Sequence, residues 1–265
     1  MSEPILFTTT RVSTFRGRQP LTAATAFFFE RDSRLYVVTC RHVLHDEQTG
    51  HFPDRVELVL HVDATDLTQT AVFSILLYRD GRAIWRQGKD SAGPVDVAVL
   101  ELDRDNLPQG VVLRPFDPSH IQYPTPEVEM GASLRVLGFP LGFYDTRHHL
   151  PVMRHAIIAS AFGVRFQGQG YFLTDARMHR GMSGAPVVLR HDDKDAEFPW
   201  RLLGVHASRV DMGDRDIQQD ETLGLNCAWY ADILMTLTTD NAALSEAEMG
   251  PRPATTGRGT PKRIS

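Results

Sequence analysis

The chain is broken into short runs of β-branched and aromatic residues, and this constrains its fold more than any other feature. Ten such runs stand out: TAFFFE, RLYVVTC, RVELVLHV, AVFSILLY, VDVAVLEL, SLRVLGF, HAIIASAFGVRF, GYFLTDA, APVVLR and RLLGVHAS. Gly, Pro, Asp or Asn separates them, residues that end ladders and form turns. Helical periodicity surfaces once, late, in AWYADILMTL (Ala228–Leu237), where the apolar residues share one face. Many short strands with turns at intervals of about ten residues predict an all-β protein, a sandwich or a pair of barrels.

A proline-rich break divides this pattern. RPFDPSHIQYPTPEVEMG, from Arg114 to Gly131, holds four prolines and interrupts the strands. It predicts a first β unit over residues 1–115, a connection over 116–130 and a second unit over 131–238. Residues 239–265 are rich in Gly, Pro and charge and poor in large apolar side chains, so a disordered tail is expected there. With 42% hydrophobic and 23% charged residues, the composition is that of a soluble globular chain. A net charge of -5 with scattered basic residues speaks against nucleic acid as a partner. No apolar run approaches the roughly 18 residues of a membrane span, so no membrane partner is expected. Two cysteines, Cys40 and Cys227, and an N-terminus without a secretory pattern lead to a cytoplasmic expectation.

Three of the segments carry chemistry. Acyl transfer by serine needs a base for the hydroxyl proton, a carboxylate to orient that base, and N–H donors for the oxyanion. VVTCRHVL ends a strand at Thr39 and sets His42 in the turn that follows. GPVDVAVLEL places Asp96 at the mouth of a strand, and HRGMSGAP places Ser183 between Gly181 and Gly184. Without Cβ, those glycines allow unusual dihedrals and close approach of a substrate carbonyl. The N–H groups of Gly181 and Ser183 then converge as an oxyanion hole. Each segment alone has a plainer reading: a structural histidine, a turn aspartate, an ordinary glycine turn. The order His, Asp, Ser, each in its strand context, is what joins them.

Other features point less far. DTRHHLPVMRH, Asp145 to His155, gathers three histidines but lacks a fourth ligand at suitable spacing, so no metal and no other cofactor is expected. Cys40 falls within an apolar strand, where a cysteine is a small buried hydrophobe rather than a nucleophile. GMSGA brushes against the Gly-x-Ser-x-Gly elbow of α/β-hydrolases. That fold requires alternating helices and the order Ser, acid, His, which this chain does not have.

The three segments resemble the chymotrypsin-like serine peptidases, especially their bacterial HtrA-like and glutamyl-endopeptidase branches. TCRHV matches the segment that carries the base, DVAVL the strand opened by the acid, and TDARMHRGMSGAP the approach to the nucleophile. ATAFFF before the histidine strand, VLGFPLG (Val136–Gly142) and LLGVHAS after the serine extend the likeness over about residues 22–237. The resemblance implies two six-stranded antiparallel β-barrels, a C-terminal helix and an active site in the cleft between the barrels. It implies a serine endopeptidase with a catalytic triad of His42, Asp96 and Ser183, acting on protein or peptide substrates.

The departures from that family matter as much. Met182 stands where zymogen-activated members have an acidic residue, so activation by N-terminal cleavage is not expected. The oxyanion loop must be ordered by other contacts or by an activating protein partner. His179-Arg180 replaces the Asn-Pro common in HtrA-like members. The resemblance puts the substrate pocket between Arg177 and the strand residues His206, Ala207, Ser208 and Arg209. His206 matches the pocket histidine of glutamyl endopeptidases, which implies a preference for acidic or amide side chains before the cut. The alternatives are that His206 packs beneath the strand, and that the whole domain is a peptidase fold retained as a binding module.

Overall fold

The structure, a computed structural model, describes residues 3–126, 128–191, 196–209 and 223–239, with the side chains of 208 and 209 outside that set. Residues 240–265, which hold nearly all of the expected disordered tail, lie outside the described residues.

The first body is one antiparallel sheet. Its strands are β1 (Thr9–Arg16), β2 (Gln19–Arg31), β3 (Arg34–Thr39), β4 (Arg55–His61) and β5 (Thr70–Leu76). After the small hairpin β6 (Tyr78–Arg79) and β7 (Arg82–Ala83) come β8 (Trp85–Asp90) and β9 (Gly93–Leu102). The seven longer strands run in the order β5-β4-β1-β2-β3-β9-β8. The second body is a closed barrel, β10-β11-β12-β15-β14-β13. Its strands are β10 (Ser133–Gly138), β11 (Val152–Ile158), β12 (Tyr171–Asp175), β13 (Ala185–Arg190), β14 (Trp200–Arg209) and β15 (Leu225–Tyr230). The protein is thus all-β in the chymotrypsin-like manner, with a seven-stranded sheet in the first body where a ring of six was expected.

Two sequence expectations need correction. Ala228 to Tyr230 belong to β15, and the late helix covers only Ile233–Leu237. Apolar residues at helical spacing there are equally satisfied by a strand followed by one turn. HAIIASAFGVRF yields strand only as far as Ile158, and the chain turns further on at Gly163, with φ 89° against Pro124. Strands β1, β8 and β15 were not anticipated. TTRVSTFR and WRQGKD mix polar residues among few apolar ones, and the apolar LNCAWY runs into the segment read as a helix.

Packing joins the two bodies. Phe27, Phe28, Phe29, Tyr36, Trp85 and Phe116 are all buried in one core. That core continues through Leu202, Val205, Ala207 and Trp229 of the barrel to Leu234 and Leu237 of the short helix. A second core fills the barrel, from Leu134, Val136 and Phe172 to Met182 and Ala185. Between the bodies, the proline-rich stretch bridges Phe116 to Phe29 and Ile121 to Leu202. Burying a side chain such as Phe27 or Leu202 is worth about 1.5–3 kcal/mol, so this shared core fixes how the bodies face each other.

Candidate active site

His42 and Asp96 meet because of strand register. β3 pairs with β9 up to Thr39 opposite Ala98. Two residues earlier in β9, Asp96 therefore extends past the end of β3, under the single helical turn Arg41–Leu44. Both carboxylate oxygens serve one residue: the His42 N–H donates to Oδ1 at 2.9 Å, and His42 Nδ1 lies 2.7 Å from Oδ2. That arrangement fixes the ring and puts the proton on Nδ1, leaving Nε2 as the basic nitrogen. Burial depresses the His42 pKa. The hydrogen bond and charge of Asp96, with help from Asp46, outweigh it and hold the pKa above the ordinary 6.5.

Ser183 sits in a loop whose peptide groups are almost all engaged. Leu141 N–H donates to Arg180 O at 2.6 Å, Thr25 Oγ1 to Gly181 O at 2.7 Å, and Ala185 N–H to Met182 O at 2.9 Å. Thr25 N–H donates to Ser183 O at 3.0 Å, Met182 N–H to His179 O at 3.2 Å, and Gly184 N–H to His206 O at 2.8 Å. Among the described residues, neither the Gly181 N–H nor the Ser183 N–H has a hydrogen-bond partner. Gly181 and Gly184 adopt φ 92° and 85°, and a Cβ on either would collide, with Phe139 O and Thr25 O respectively. Only glycine fits both positions.

Met182 answers the question of how this loop is held. Its side chain is fully buried in the barrel core, with its sulfur against Gly138. An apolar anchor occupies the place where a salt bridge would otherwise order the loop.

The Ser183 hydroxyl donates to Ala207 O at 2.9 Å. Its proton is directed to β14, so no hydrogen bond joins it to His42 in this conformation. His206 is buried, with its carbonyl accepting from Gly184 N–H and from the Cys40 thiol at 3.3 Å. Its Nδ1 has no partner among the described residues, and burial, reinforced by the neighbouring His42, lowers its pKa to about 4. His206 is therefore neutral at neutral pH. Arg177 is exposed, and its carbonyl accepts from Arg154 at 2.8 Å. Among the described residues no hydrogen bond joins Arg177 to His206. The backbone of Ser208 and Arg209 continues β14, with Arg209 opposite Asn226.

The groups that can ligate a metal here are Cys40, His42 and Asp96, whose ligand atoms lie within 4.8 Å of one another. Burial and the charge of Asp96 push the Cys40 thiol pKa well up, so it keeps its proton, and Asp96 is spent on His42. This donor set suits proton transfer better than metal binding. The three histidines of residues 145–155 separate: His148 pairs with Asp145, His155 bonds Ser133, and His149 lies against Tyr144. Sequence reasoning assigned no role to Thr25, Phe139 or Leu141, although ATAFFF and VLGFPLG mark their segments. No residue-type signal distinguishes a backbone clamp from an ordinary strand end.

A His–Asp pair, a glycine-flanked serine and two open N–H groups are the parts of a serine acyl-transfer site. Residues 24–194 match the trypsin-like peptidase domain, and the chain belongs to that family. No curated protein sequence matches it significantly. Among solved structures it is similar to the thermostable serine protease AL20 from an extremophilic microorganism, at 13% identity and TM-score 0.52, covering 89% of this chain and 100% of that one. It is also similar to an inactivated protease paralogue of the scabies mite, at 15% identity and TM-score 0.53, covering 92% and 99%. A third is a serine endoprotease from Yersinia pestis, at 16% identity and TM-score 0.50, covering 87% of this chain and 61% of that one. At such identities the likeness is one of fold. None of the described helices is long and apolar enough to cross a membrane.

Proposed function

We propose that the protein is a serine endopeptidase that cleaves peptide bonds through an acyl-enzyme. His42 acts as general base and then general acid, Asp96 orients it, and Ser183 is the nucleophile. The observation that carries this reading is the pair of unpartnered N–H groups, Gly181 and Ser183, beside a His42–Asp96 pair with both carboxylate oxygens engaged. Such prearranged donors are worth on the order of 3 kcal/mol each at a developing oxyanion. The motifs around the triad favour the HtrA-like and glutamyl-endopeptidase branches within the family.

The resting position of Ser183 Oγ on Ala207 O favours an enzyme set in motion by substrate or by a protein partner. An extended peptide adding alongside β14 would present its own N–H groups to β14 carbonyls. One N–H on Ala207 O displaces the serine hydroxyl and frees it to swing to His42. A catalytically silent binding module is the competing reading, and the same parked hydroxyl is what favours it. For the residue before the cut, the buried neutral His206 with its unused Nδ1 favours an acidic or amide side chain.

Labelling with a fluorophosphonate probe tests the assignment. Wild type is expected to label at Ser183, and Ser183→Ala to lose the label. Equal labelling of both proteins would overturn the triad, and a folded wild type that neither labels nor cleaves peptides would point to the binding module.

A further inference from the structure

We propose that Thr25 is the positioning residue that clamps the nucleophile loop from the opposite body; its catalytic consequence rests on the peptidase reading above. Thr25 belongs to β2 of the first body, and it is fully buried. Its Oγ1 donates to Gly181 O at 2.7 Å and accepts from Phe139 N–H at 3.1 Å. Its N–H donates to Ser183 O at 3.0 Å, and its carbonyl accepts from Thr39 Oγ1 at 2.8 Å. One residue thus holds both ends of the Gly181–Ser183 segment and also the segment that carries Leu141.

The surroundings are shaped to this clamp. A Cβ on Gly138 would stand 2.6 Å from Thr25 Oγ1, and one on Gly184 would collide with Thr25 O. Two glycines therefore leave the room that the threonine fills. The bond to Gly181 O fixes the peptide plane between Gly181 and Met182. That plane sets how the flanking N–H groups of Gly181 and Ser183 converge. Phe139, held by the same hydroxyl, precedes Pro140 and Leu141, whose N–H fixes Arg180 O. The hydroxyl thus holds the Gly181–Met182 plane directly and the segment that fixes the Arg180–Gly181 plane through Phe139.

Valine matches the shape of threonine while leaving Gly181 O and Phe139 N–H without partners in a buried place. Displacement of reacting groups by about 1 Å lowers rates by ~100-fold. Thr25→Val is therefore expected to lower kcat for a peptide substrate by about 10- to 100-fold with KM changed by less than about threefold. It is expected to slow the single-turnover rate of fluorophosphonate labelling likewise, with the labelled fraction preserved. Thr25→Ser keeps the hydroxyl and is expected within about threefold of wild type. Should Thr25→Val fail to fold, Thr25→Ala against Thr25→Ser isolates the hydroxyl in the same assays. Hydrogen exchange by mass spectrometry tests the clamp without turnover: the valine variant is expected to exchange faster in peptides covering 138–143 and 180–185. Unchanged exchange there, or equal activity of Val and Ser variants, would overturn the clamp. A wild type inert to the probe with exchange altered as expected would sink the peptidase reading and leave the clamp standing.

Discussion

Replacing Asp96 by asparagine perturbs the His42 pair with almost no change in volume, and the structure sets the size of the effect. Asp96 accepts two hydrogen bonds, from His42 N–H and from the ring at Nδ1. An amide has one oxygen and one NH₂, so it can satisfy only one of those donors. If its oxygen takes the backbone N–H, its NH₂ faces Nδ1 and forces the tautomer with the proton on Nε2, which cannot accept from Ser183. The reverse orientation sets NH₂ against the backbone N–H, leaving a buried donor unpaired at about 1–3 kcal/mol. The unproductive tautomer wins by that margin. Losing the carboxylate charge beside the developing imidazolium removes about 4 kcal/mol at 4 Å and an effective dielectric of 20. His42 and Asp96 are about a third and a fifth exposed, which reduces that figure to about 2 kcal/mol. Together the two effects come to about 3–5 kcal/mol, on the order of 10³-fold in kcat/KM. Peptide hydrolysis followed from pH 5 to 9 reads this directly. In wild type, activity rises through a His42 pKa lifted above 6.5 mainly by Asp96, so the midpoint should move down in the variant. Stability follows the same sign. A raised folded pKa stabilises fully below about pH 6.5, and the gain fades as pH climbs through the folded value. The melting-temperature gap between wild type and Asp96→Asn should be wider at pH 5.5 than at pH 8.5. A folded variant within tenfold of wild-type activity, or one with an unmoved midpoint, would refute the reasoning.

Two further outcomes follow from buried groups. Met182→Ala empties a fully buried site in the barrel core and is expected to cost about 2–5 kcal/mol in denaturant unfolding, with slower fluorophosphonate labelling. A loss under about 0.5 kcal/mol would show that Met182 does not anchor the loop. His206→Ala is expected to abolish any preference for acidic or amide residues in peptide-library cleavage, and an unchanged profile would end that pocket assignment. His206 also destabilises the fold in acid: with its pKa lowered to about 4, its contribution is whole above about pH 6.5 and is lost as pH falls towards 4, so the alanine variant should show a shallower acid slope.

What the sequence disclosed was local chemistry, and what it concealed was register and contact across the cleft. The proposed triad of His42, Asp96 and Ser183 was legible because each lies in or beside a strand-like run with a distinctive neighbour, and nucleophilic catalysis needs those residue types. The bulk of the strands were legible because β-branched runs alternate with turn residues. β8 was not, since WRQGKD is mostly polar and owes its place to buried Trp85 and Arg86 on the sheet edge. Met182 read as a departure from the family, and its meaning is geometric: a flexible apolar side chain fills the barrel beneath the loop. Thr25 gave the least away. A threonine in a β strand needs no explanation beyond propensity, and its four hydrogen-bonded partners lie 14 to 158 residues away in the chain. The active loop is held by residues whose side-chain type is ordinary and whose placement is not. In a fold built from two bodies, the sequence names the candidate reacting groups, while the contacts that would aim them emerge only when the bodies meet.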